Sequence, residues 1–285
     1  MPEKKFDIYA TITDRICEEL EKGTIPWNKP WFGKSDGAVS GSTGRPYSLL
    51  NQMLLMKAGQ WFTYRQAAAL GAQVRKGEKS SMVVFWKQLP IEEEKPDGTK
   101  EKKTIPMLKY FNVFHESQID NLPEKDKRPS IEHIDPHAEA EAIITGYVSR
   151  SGLKLHRDAV SNEAFYRPYN DSITVPCKEQ YASQAEYYST LFHELVHSTG
   201  HSSRLNRLTA TAHFGNEEYS KEELIAEIGA AALNNFCGLE TVSSFRNSAA
   251  YIQSWLKALK NDKRLVVSAS GKAEKAVYMI IGDAA

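Results

Sequence analysis

The sequence contains one run of residues suited to metal-dependent hydrolysis, His193-Glu194-Leu195-Val196-His197. Residues i and i+4 of an α-helix lie on the same face, so both imidazoles can point at one ion. Glu194 directly follows the first histidine, where a carboxylate can act as general base on a water at that ion. The spacing predicts a zinc site of the metallopeptidase type, with His193 and His197 as ligands and Glu194 as the catalytic residue.

The third ligand is expected from a second helix. A catalytic zinc takes three protein ligands and keeps one position open for water or substrate. Glu223 and Glu227 are four residues apart and share a helix face, so one could bind the metal while the other orients a ligand histidine. Glu223 also has a simpler interpretation, because Ser220 and Glu223 have the spacing of a capping box at a helix start. The spacing leaves these alternatives open.

Two helices must hold these groups in place. The first is predicted over Ser183–Thr199, since Ser183 and Glu186 form a capping box at its start. The second is predicted over Ser220–Phe236. Apolar neighbours on the first helix indicate that the two histidines are buried. Buried imidazoles need a partner, which favours a metal ion over a surface pair of histidines.

A further histidine, His201, lies just beyond the first of these helices. The extended histidine pattern of some zinc peptidases would place its third histidine at position 203, where this chain has Ser203. We therefore expect His201 to support the metal ligands or to face the substrate, and it is the less favoured alternative ligand.

Positive charge and aromatic rings are concentrated in the first third of the chain. Residues 23–87 contain nine basic and two acidic residues, although the whole chain has a formal net charge of zero. Proteins hold flexible single strands with cations along the backbone and aromatic faces against the bases, so this composition favours single-stranded nucleic acid. The alternative is that the tryptophans belong to the core and the charges are merely solvated. The expected contacts are Trp27, Lys29, Trp31, Arg75, Lys76 and Lys79.

The hydrophobic patterning predicts an α+β protein of two domains. Residues 1–125 would form an α+β domain that folds on its own, and residues 126–285 a mainly helical domain with a small sheet. The proline-rich, charged stretch Asn121–Pro136 would link them. The first domain's predicted elements are helices Asp7–Leu20, Leu49–Lys57 and Tyr64–Leu70, strands Ser81–Trp86 and Tyr110–Phe114, and an exposed connection over Ile91–Lys103. The second domain adds helices His137–Ser149, Tyr251–Leu259 and Ala273–Ile281, and short strands Lys154–Leu155 and Ile173–Val175.

The remaining composition bears on where the protein works. Three widely spaced cysteines without a CxxC pair make a disulfide framework unexpected and favour a reducing compartment. The first residues lack the apolar core of a signal peptide, and no stretch of about 18 apolar residues could span a bilayer. We expect a cytoplasmic protein with no membrane partner.

Long segments in both halves carry a family resemblance. The N-terminal segments are ITDRICEELEKGTIPWNKPW, STGRPYSLLNQMLL, WFTYRQAAALGAQVRKGEKSSMVVFW and YFNVFHESQI. The C-terminal segments are YRPYNDSITVP, YYSTLFHELVHSTGHSSRLNR and YSKEELIAEIGAAAL. Over nearly its full length the chain resembles the ArdC family of antirestriction proteins from mobile genetic elements, which is related to the N-terminal part of plasmid TraC-type primases.

This resemblance implies a single-stranded-DNA-binding N-terminal domain followed by a zincin-like metallopeptidase domain. It implies a role in protecting incoming DNA from host restriction during plasmid transfer. One Zn²⁺ per chain is the expected cofactor, with no obligate small-molecule cofactor. Primer synthesis is not implied, because no polymerase motif is present.

The segment EELIAE also resembles a helix of the ImmA/IrrE-type zincins, whose pattern is Glu-x-x-Ala-Asn. That resemblance implies Glu223 as the third ligand and aligns Ala226 with the alanine of the pattern. Glu227 stands where that family has asparagine, and this departure leaves its role open.

Two functions from different classes fit these expectations. In the first, the chain is a zinc-dependent endopeptidase held on single-stranded DNA, and its substrates are proteins bound to the same strand. In the second, the chain shields DNA without turnover, and its zinc domain is structural or binds a partner. The presence of Glu194 favours chemistry, because a structural site needs ligands but no base.

Overall fold

The computed structural model describes residues 6–28, 37–94, 100–123, 135–159, 163–208, 217–239 and 249–282. Helices and strands both contribute throughout these ranges, so the predicted α+β class is confirmed. The helices are α1 (Ile8–Glu21), α2 (Leu49–Leu55), α3 (Tyr64–Ala69), α4 (Pro136–Ser151), α5 (Gln184–Ser198), α6 (Glu217–Phe236), α7 (Ala249–Asn261) and α8 (Leu265–Ile281). The strands are β1 (Ala38–Ser40), β2 (Gly59–Phe62), β3 (Gln73–Val74), β4 (Ser81–Glu94), β5 (Lys100–His115), β6 (Ile119–Asp120), β7 (Lys154–Ala159), β8 (Phe165–Arg167) and β9 (Ser172–Pro176). Among the helices of this described part, none is long and apolar enough to cross a bilayer.

The described strands form three sheets. The largest has the order β1-β2-β5-β4, in which β1 and β2 are parallel and the other neighbours antiparallel. β3 pairs with β6 beside α3. The third sheet has the order β7-β9-β8, with β7 parallel to β9. It packs against α5 and so supports the helix that carries the two spaced histidines.

The β4–β5 hairpin is longer than the sequence predicted. β4 continues to Glu94 and β5 starts at Lys100, so the predicted connection over Ile91–Lys103 is largely strand. The ladder passes Leu89 opposite Ile105 and adds one pair after another towards the tip. Charge in the sequence does not end these strands, because the backbone hydrogen bonds of an antiparallel pair do not depend on the side chains.

Local propensity also misled the prediction for the last helix. α8 begins at Leu265, whereas the sequence predicted Ala273 as its start. β-branched residues and an interior glycine lower helix propensity in this segment. Val266 and Val267 are nevertheless buried there, and their packing outweighs the weaker propensity.

Helices from both halves of the chain contribute to one hydrophobic core. α1 packs against α7, and α2 packs against α8. The hydroxyl of Thr13 donates to the Lys263 carbonyl at 2.8 Å, and the amide of Leu49 donates to Glu274 at 3.2 Å. Apolar faces of α7 and α8 are thus covered by N-terminal helices. The predicted boundary at residue 125 lies outside the described residues, and the division into two units stays a prediction.

Candidate metal centre

Helix α5 carries the two spaced histidines into the protein interior. Its first turn is capped by Ser183, whose hydroxyl accepts from the Glu186 amide at 3.1 Å. The Glu186 carboxylate accepts from the Ala182 amide, one residue before the position that a capping box would use. Leu191 and Phe192 are fully buried and point in directions about 100° apart around the helix axis, so α5 is packed on more than one side. The predicted helix is confirmed with its start at Gln184.

Three side chains converge between α5 and α6. Nε2 of His193 and Nε2 of His197 are 3.0 Å apart. The Glu223 carboxylate lies 3.6 Å from Nε2 of His193 and 3.3 Å from Nε2 of His197. Within the described residues, this trio is the one group of His, Cys, Asp and Glu side chains with the spacing of a metal site.

These distances fit a tetrahedral metal ion. Ligand atoms at about 2.0–2.1 Å from a tetrahedral zinc are separated by about 3.3–3.4 Å. The two Nε2 atoms are 3.0 Å apart, and they lie 3.6 Å and 3.3 Å from different oxygens of the Glu223 carboxylate, so the donor atoms are grouped at about this spacing. Two imidazole nitrogens and one carboxylate also match the donor types of catalytic zinc sites, which leave a fourth position open.

Glu223 does not cap a helix. α6 begins at Glu217, so Ser220 lies inside the helix and the capping-box interpretation is wrong. Glu223 projects from the middle of the helix towards α5 with a side chain that is only 11% exposed. The longer helix was hidden from sequence analysis because Ser220 and Glu223 imitate a start signal.

Each histidine has a carboxylate on the side of the ring away from the convergent Nε2 atoms. Glu227 lies 3.5 Å from Nδ1 of His193, and Glu222 lies 3.2 Å from Nδ1 of His197. A carboxylate in this position fixes the orientation of the ring and makes the opposite ring nitrogen, Nε2, a better metal ligand. The sequence predicted Glu227 either as the carboxylate that orients a ligand histidine or as the alternative ligand. It did not single out Glu222.

Arg207 holds Glu222 in place, and sequence analysis missed this as well. Its guanidinium donates to both Glu222 oxygens at 2.9 Å. It also donates to the hydroxyl of Thr199 at 2.6 Å and to the carbonyl of Val196. Thus α6 is fastened to the end of α5 directly behind His197. The available signal was the spacing of Arg204 and Arg207 between leucines, which indicates a loop packed on the protein.

Arg204 makes a parallel connection to the small sheet. Its guanidinium pairs with Asp171 and donates to the Ser198 carbonyl at 2.8 Å. Tyr166 donates to the same Asp171 carboxylate at 2.8 Å. The loop after α5 is therefore tied both to α6 and to the strands beneath α5.

The electrostatics of the centre favour a cation. Burial alone lowers the pKa of His197, but hydrogen bonds and charges from Glu222 and Glu223 raise it to about 10. Burial opposes ionisation of Glu223, yet the two histidines hold the pKa of its carboxyl well below the usual range. Glu194 and Glu227 are also buried, at 3% and 8% exposed. Buried carboxylates in this number are compatible with folding when positive charge balances them.

His201 lies outside the convergent group. Its Nδ1 is 2.7 Å from the hydroxyl of Ser203 and also accepts from the Ser203 amide at 3.2 Å. The Ser203 that breaks the extended histidine pattern thus holds His201 in the turn after α5.

The predicted DNA contacts differ in their exposure and in their ion pairs. Trp27 is only 4% exposed and packs edge-on against Trp255 at 5.2 Å, so its prediction as a stacking residue is wrong and the core alternative holds. Arg75 is paired with Glu78 at 2.8 Å and with Asp120 at 3.1 Å, which makes it a link within the turn. Lys76 and Lys79 are exposed. Lys29 and Trp31 lie outside the described residues.

Each half of the chain matches a model of a known protein family. The model for the N-terminal domain of anti-restriction factor ArdC matches residues 6–114. A model named MPTase-PolyVal, a zincin-like metallopeptidase, matches residues 139–272. The second match includes all the convergent side chains described above.

Solved structures and curated relatives give the same result. The metal-free crystal structure of antirestriction ArdC from plasmid R388 is 38% identical with a TM-score of 0.75, covering 96% of this chain and 97% of that one. The Mn(II)-bound structure of the same protein is 40% identical with a TM-score of 0.76, covering 98% and 99%. DNA primase TraC of Escherichia coli is 38% identical over 296 residues. That match covers 96% of this chain but 27% of the primase, so the chain spans about a quarter of that relative.

Proposed function

We propose, because the chain belongs to the ArdC family of antirestriction proteins, that it binds single-stranded DNA and hydrolyses peptide bonds at a divalent metal centre during transfer of a mobile genetic element. The observation that carries the peptidase half is the convergence of His193, His197 and Glu223 on one point, with Glu194 buried on the same helix. The single-stranded DNA half rests on the charge of residues 23–87 and on the family.

His193, His197 and Glu223 would hold the metal. Two imidazoles and one carboxylate form a donor set typical of catalytic zinc, and we propose zinc for this chain. The Mn(II)-bound structure of the related ArdC protein supports a divalent ion at this centre. When bound, the ion would acidify a water molecule and polarise a peptide carbonyl.

Glu194 is the proposed general base. It follows the first histidine on α5, the position from which a carboxylate can accept a proton from the attacking water and pass it to the leaving amine. Glu222 and Glu227 would keep the two imidazoles oriented, and Arg207 would hold Glu222. A purely structural metal site needs ligands but does not need a buried carboxylate at position 194.

A second candidate is a DNA shield without turnover. It is favoured by the positive charge of residues 23–87, since coating a strand requires only binding. The metal domain would then be structural or would bind a partner. In the enzymatic alternative, the substrates are proteins on the same DNA, because tethering raises their effective concentration.

Glu194→Gln separates the two candidates. This change removes the base and keeps the shape of the side chain and the three proposed ligands. The purified variant and wild type would be compared for metal content, DNA binding, cleavage of proteins on the same DNA, and protection of DNA from a restriction enzyme. Lost protection with intact metal and DNA binding supports the peptidase. Full protection by the variant would exclude proteolysis as the basis of antirestriction and leave shielding.

A further inference from the structure

One face of the β4–β5 hairpin alternates exposed aromatic rings with lysines. Phe85 lies opposite Lys109 in the ladder, and Lys87 lies opposite Met107. Phe111 is two residues from Lys109 and therefore points to the same side as Phe85 and Lys87. We name Phe85, Lys87, Lys109 and Phe111 the hairpin face. Phe85 and Phe111 are 45% and 47% exposed, so this face is not part of the core.

A cleft of about 550 Å³ separates the hairpin face from the start of α3. Its lining includes Tyr64 and Arg65 of α3, together with Tyr47, Phe85 and Phe111. Phe85 makes an edge-on contact with Phe111 at 5.8 Å and a tilted contact with Tyr47 at 6.1 Å, both measured between ring centroids. The rings are therefore held in position before any ligand binds, which lowers the entropic cost of binding. The volume is within the range of small-molecule sites, about 300–1,000 Å³, and so can accept a nucleobase.

The charges around the cleft identify the kind of ligand. Arg65 lines the cleft, and Lys87 and Lys109 lie on the hairpin face next to Phe85 and Phe111. Among the described residues, none of these three cations has an ion-pair partner. An apolar protein partner would leave these cations without a counter-charge. A single DNA strand matches both the rings and the cations, since its bases stack on aromatic faces and its phosphates neutralise positive charge.

We infer that this cleft is where single-stranded DNA is gripped, with bases stacked on Phe85, Phe111 and Tyr64 and phosphates at Arg65, Lys87 and Lys109. The inference rests on the proposed DNA binding and names the surface that performs it. It replaces Trp27, which is buried, and Arg75, which is already neutralised by two carboxylates. Lys79 precedes β4 by two residues and can extend the same positive path.

The opposite face of the same hairpin supplies matched controls. Trp86 and Tyr110 are 55% and 45% exposed, as much as Phe85 and Phe111, but alternation directs them away from the cleft. All four side chains are on the surface of one ribbon. Substitution by alanine should therefore have similar small effects on folding at all four positions.

The test measures binding of a fluorescein-labelled oligothymidylate of about 20 nucleotides by fluorescence anisotropy, with a duplex of equal length as comparison. Phe85→Ala and Phe111→Ala should each weaken single-strand binding by about 5- to 100-fold, since one stacked base is lost. Trp86→Ala and Tyr110→Ala should change it by less than about 2-fold. Crosslinking with iodouracil-substituted DNA and mass spectrometry should label the cleft rings.

The outcomes separate this inference from the proposed function. A wild-type chain that fails to bind the oligonucleotide refutes DNA binding itself. Wild-type binding with unaffected Phe85→Ala and Phe111→Ala variants refutes only the cleft. Equal losses on both faces of the hairpin would show that the effect is structural, and crosslinks confined to residues outside the cleft would also overturn the assignment.

Discussion

Glu222 lies behind His197, with Oε1 of the carboxylate 3.2 Å from Nδ1 of the imidazole. The opposite ring nitrogen, Nε2, faces His193 at 3.0 Å. The imidazole therefore connects the convergent group on one side with a carboxylate on the other. Because Arg207 fixes that carboxylate, the orientation of His197 depends on residues from three parts of the chain.

Loss of the Glu222 carboxylate should weaken metal binding. Glu222→Ala is expected to lower affinity by about 10- to 100-fold, because His197 loses the group that orients it. Glu222→Gln should be milder, since an amide oxygen can still accept from Nδ1. Titration against a chromophoric chelator measures this affinity. The exposed carboxylate of Glu179 provides the control, and a loss of equal size in Glu179→Gln would remove the special role of Glu222.

Alanine variants of the proposed ligands should contain less metal than the alanine variant of Glu227. We expect one divalent ion per chain and its loss in His193→Ala, as measured by elemental analysis. Glu223→Ala should lose more metal than Glu227→Ala, because Glu223 faces Nε2 atoms and Glu227 faces Nδ1 of His193. The reverse order would make Glu227 the ligand. Full occupancy in His193→Ala would refute the site.

The centre was readable from sequence where local spacing determines geometry. His193 and His197 are brought together by the helix period alone. Glu222 and Arg207 were missed because their roles depend on how a loop folds back on two helices, which no period encodes. The adjacent glutamates at 222 and 223 illustrate the limit, since they contact opposite nitrogens of the same histidine.

The fold shows the same division. α1 was predictable because Ile12, Ile16 and Leu20 recur at spacing four and are buried together. Strands β1 and β2 were not predicted, since each is short and owes its existence to a partner distant in sequence. The exposed rings of β4 and β5 also gave no sequence signal to distinguish them from core residues such as Trp27.

A buried histidine should make stability depend on pH. Burial lowers the pKa of His115, although a hydrogen bond to the Ala58 carbonyl opposes the shift. The unfolded chain therefore takes up a proton more readily, near the ordinary pKa of 6.5. The stabilising contribution of neutral His115 is complete above that pH, and it is lost as the pH falls towards the depressed folded value.

This effect is measured as the free energy of unfolding in urea at about pH 7.5 and about pH 5, which lie above and below the ordinary histidine pKa. His115→Asn should be less stable than wild type at the higher pH but should lose less stability on acidification. His156→Asn alters an exposed histidine and should keep the wild-type pH response. An unchanged slope in His115→Asn would contradict the assignment of the pH effect to this residue.

The shared core predicts that both halves unfold together. Leu54 of α2 and Val277 of α8 are fully buried in the same cluster, which joins helices from opposite ends of the chain. Leu54→Ala should cost about 2–5 kcal/mol of unfolding free energy through lost burial and the remaining cavity, and Val277→Ala somewhat less. Each variant should show one cooperative transition that shifts as a whole, whether followed by far-ultraviolet circular dichroism or by tryptophan fluorescence.

A fragment ending at residue 125 should melt well below the full chain, because α1 and α2 lose α7 and α8. If Leu54→Ala splits the transition in two, or the fragment matches the full chain, the two halves are independent and the original two-domain prediction is right.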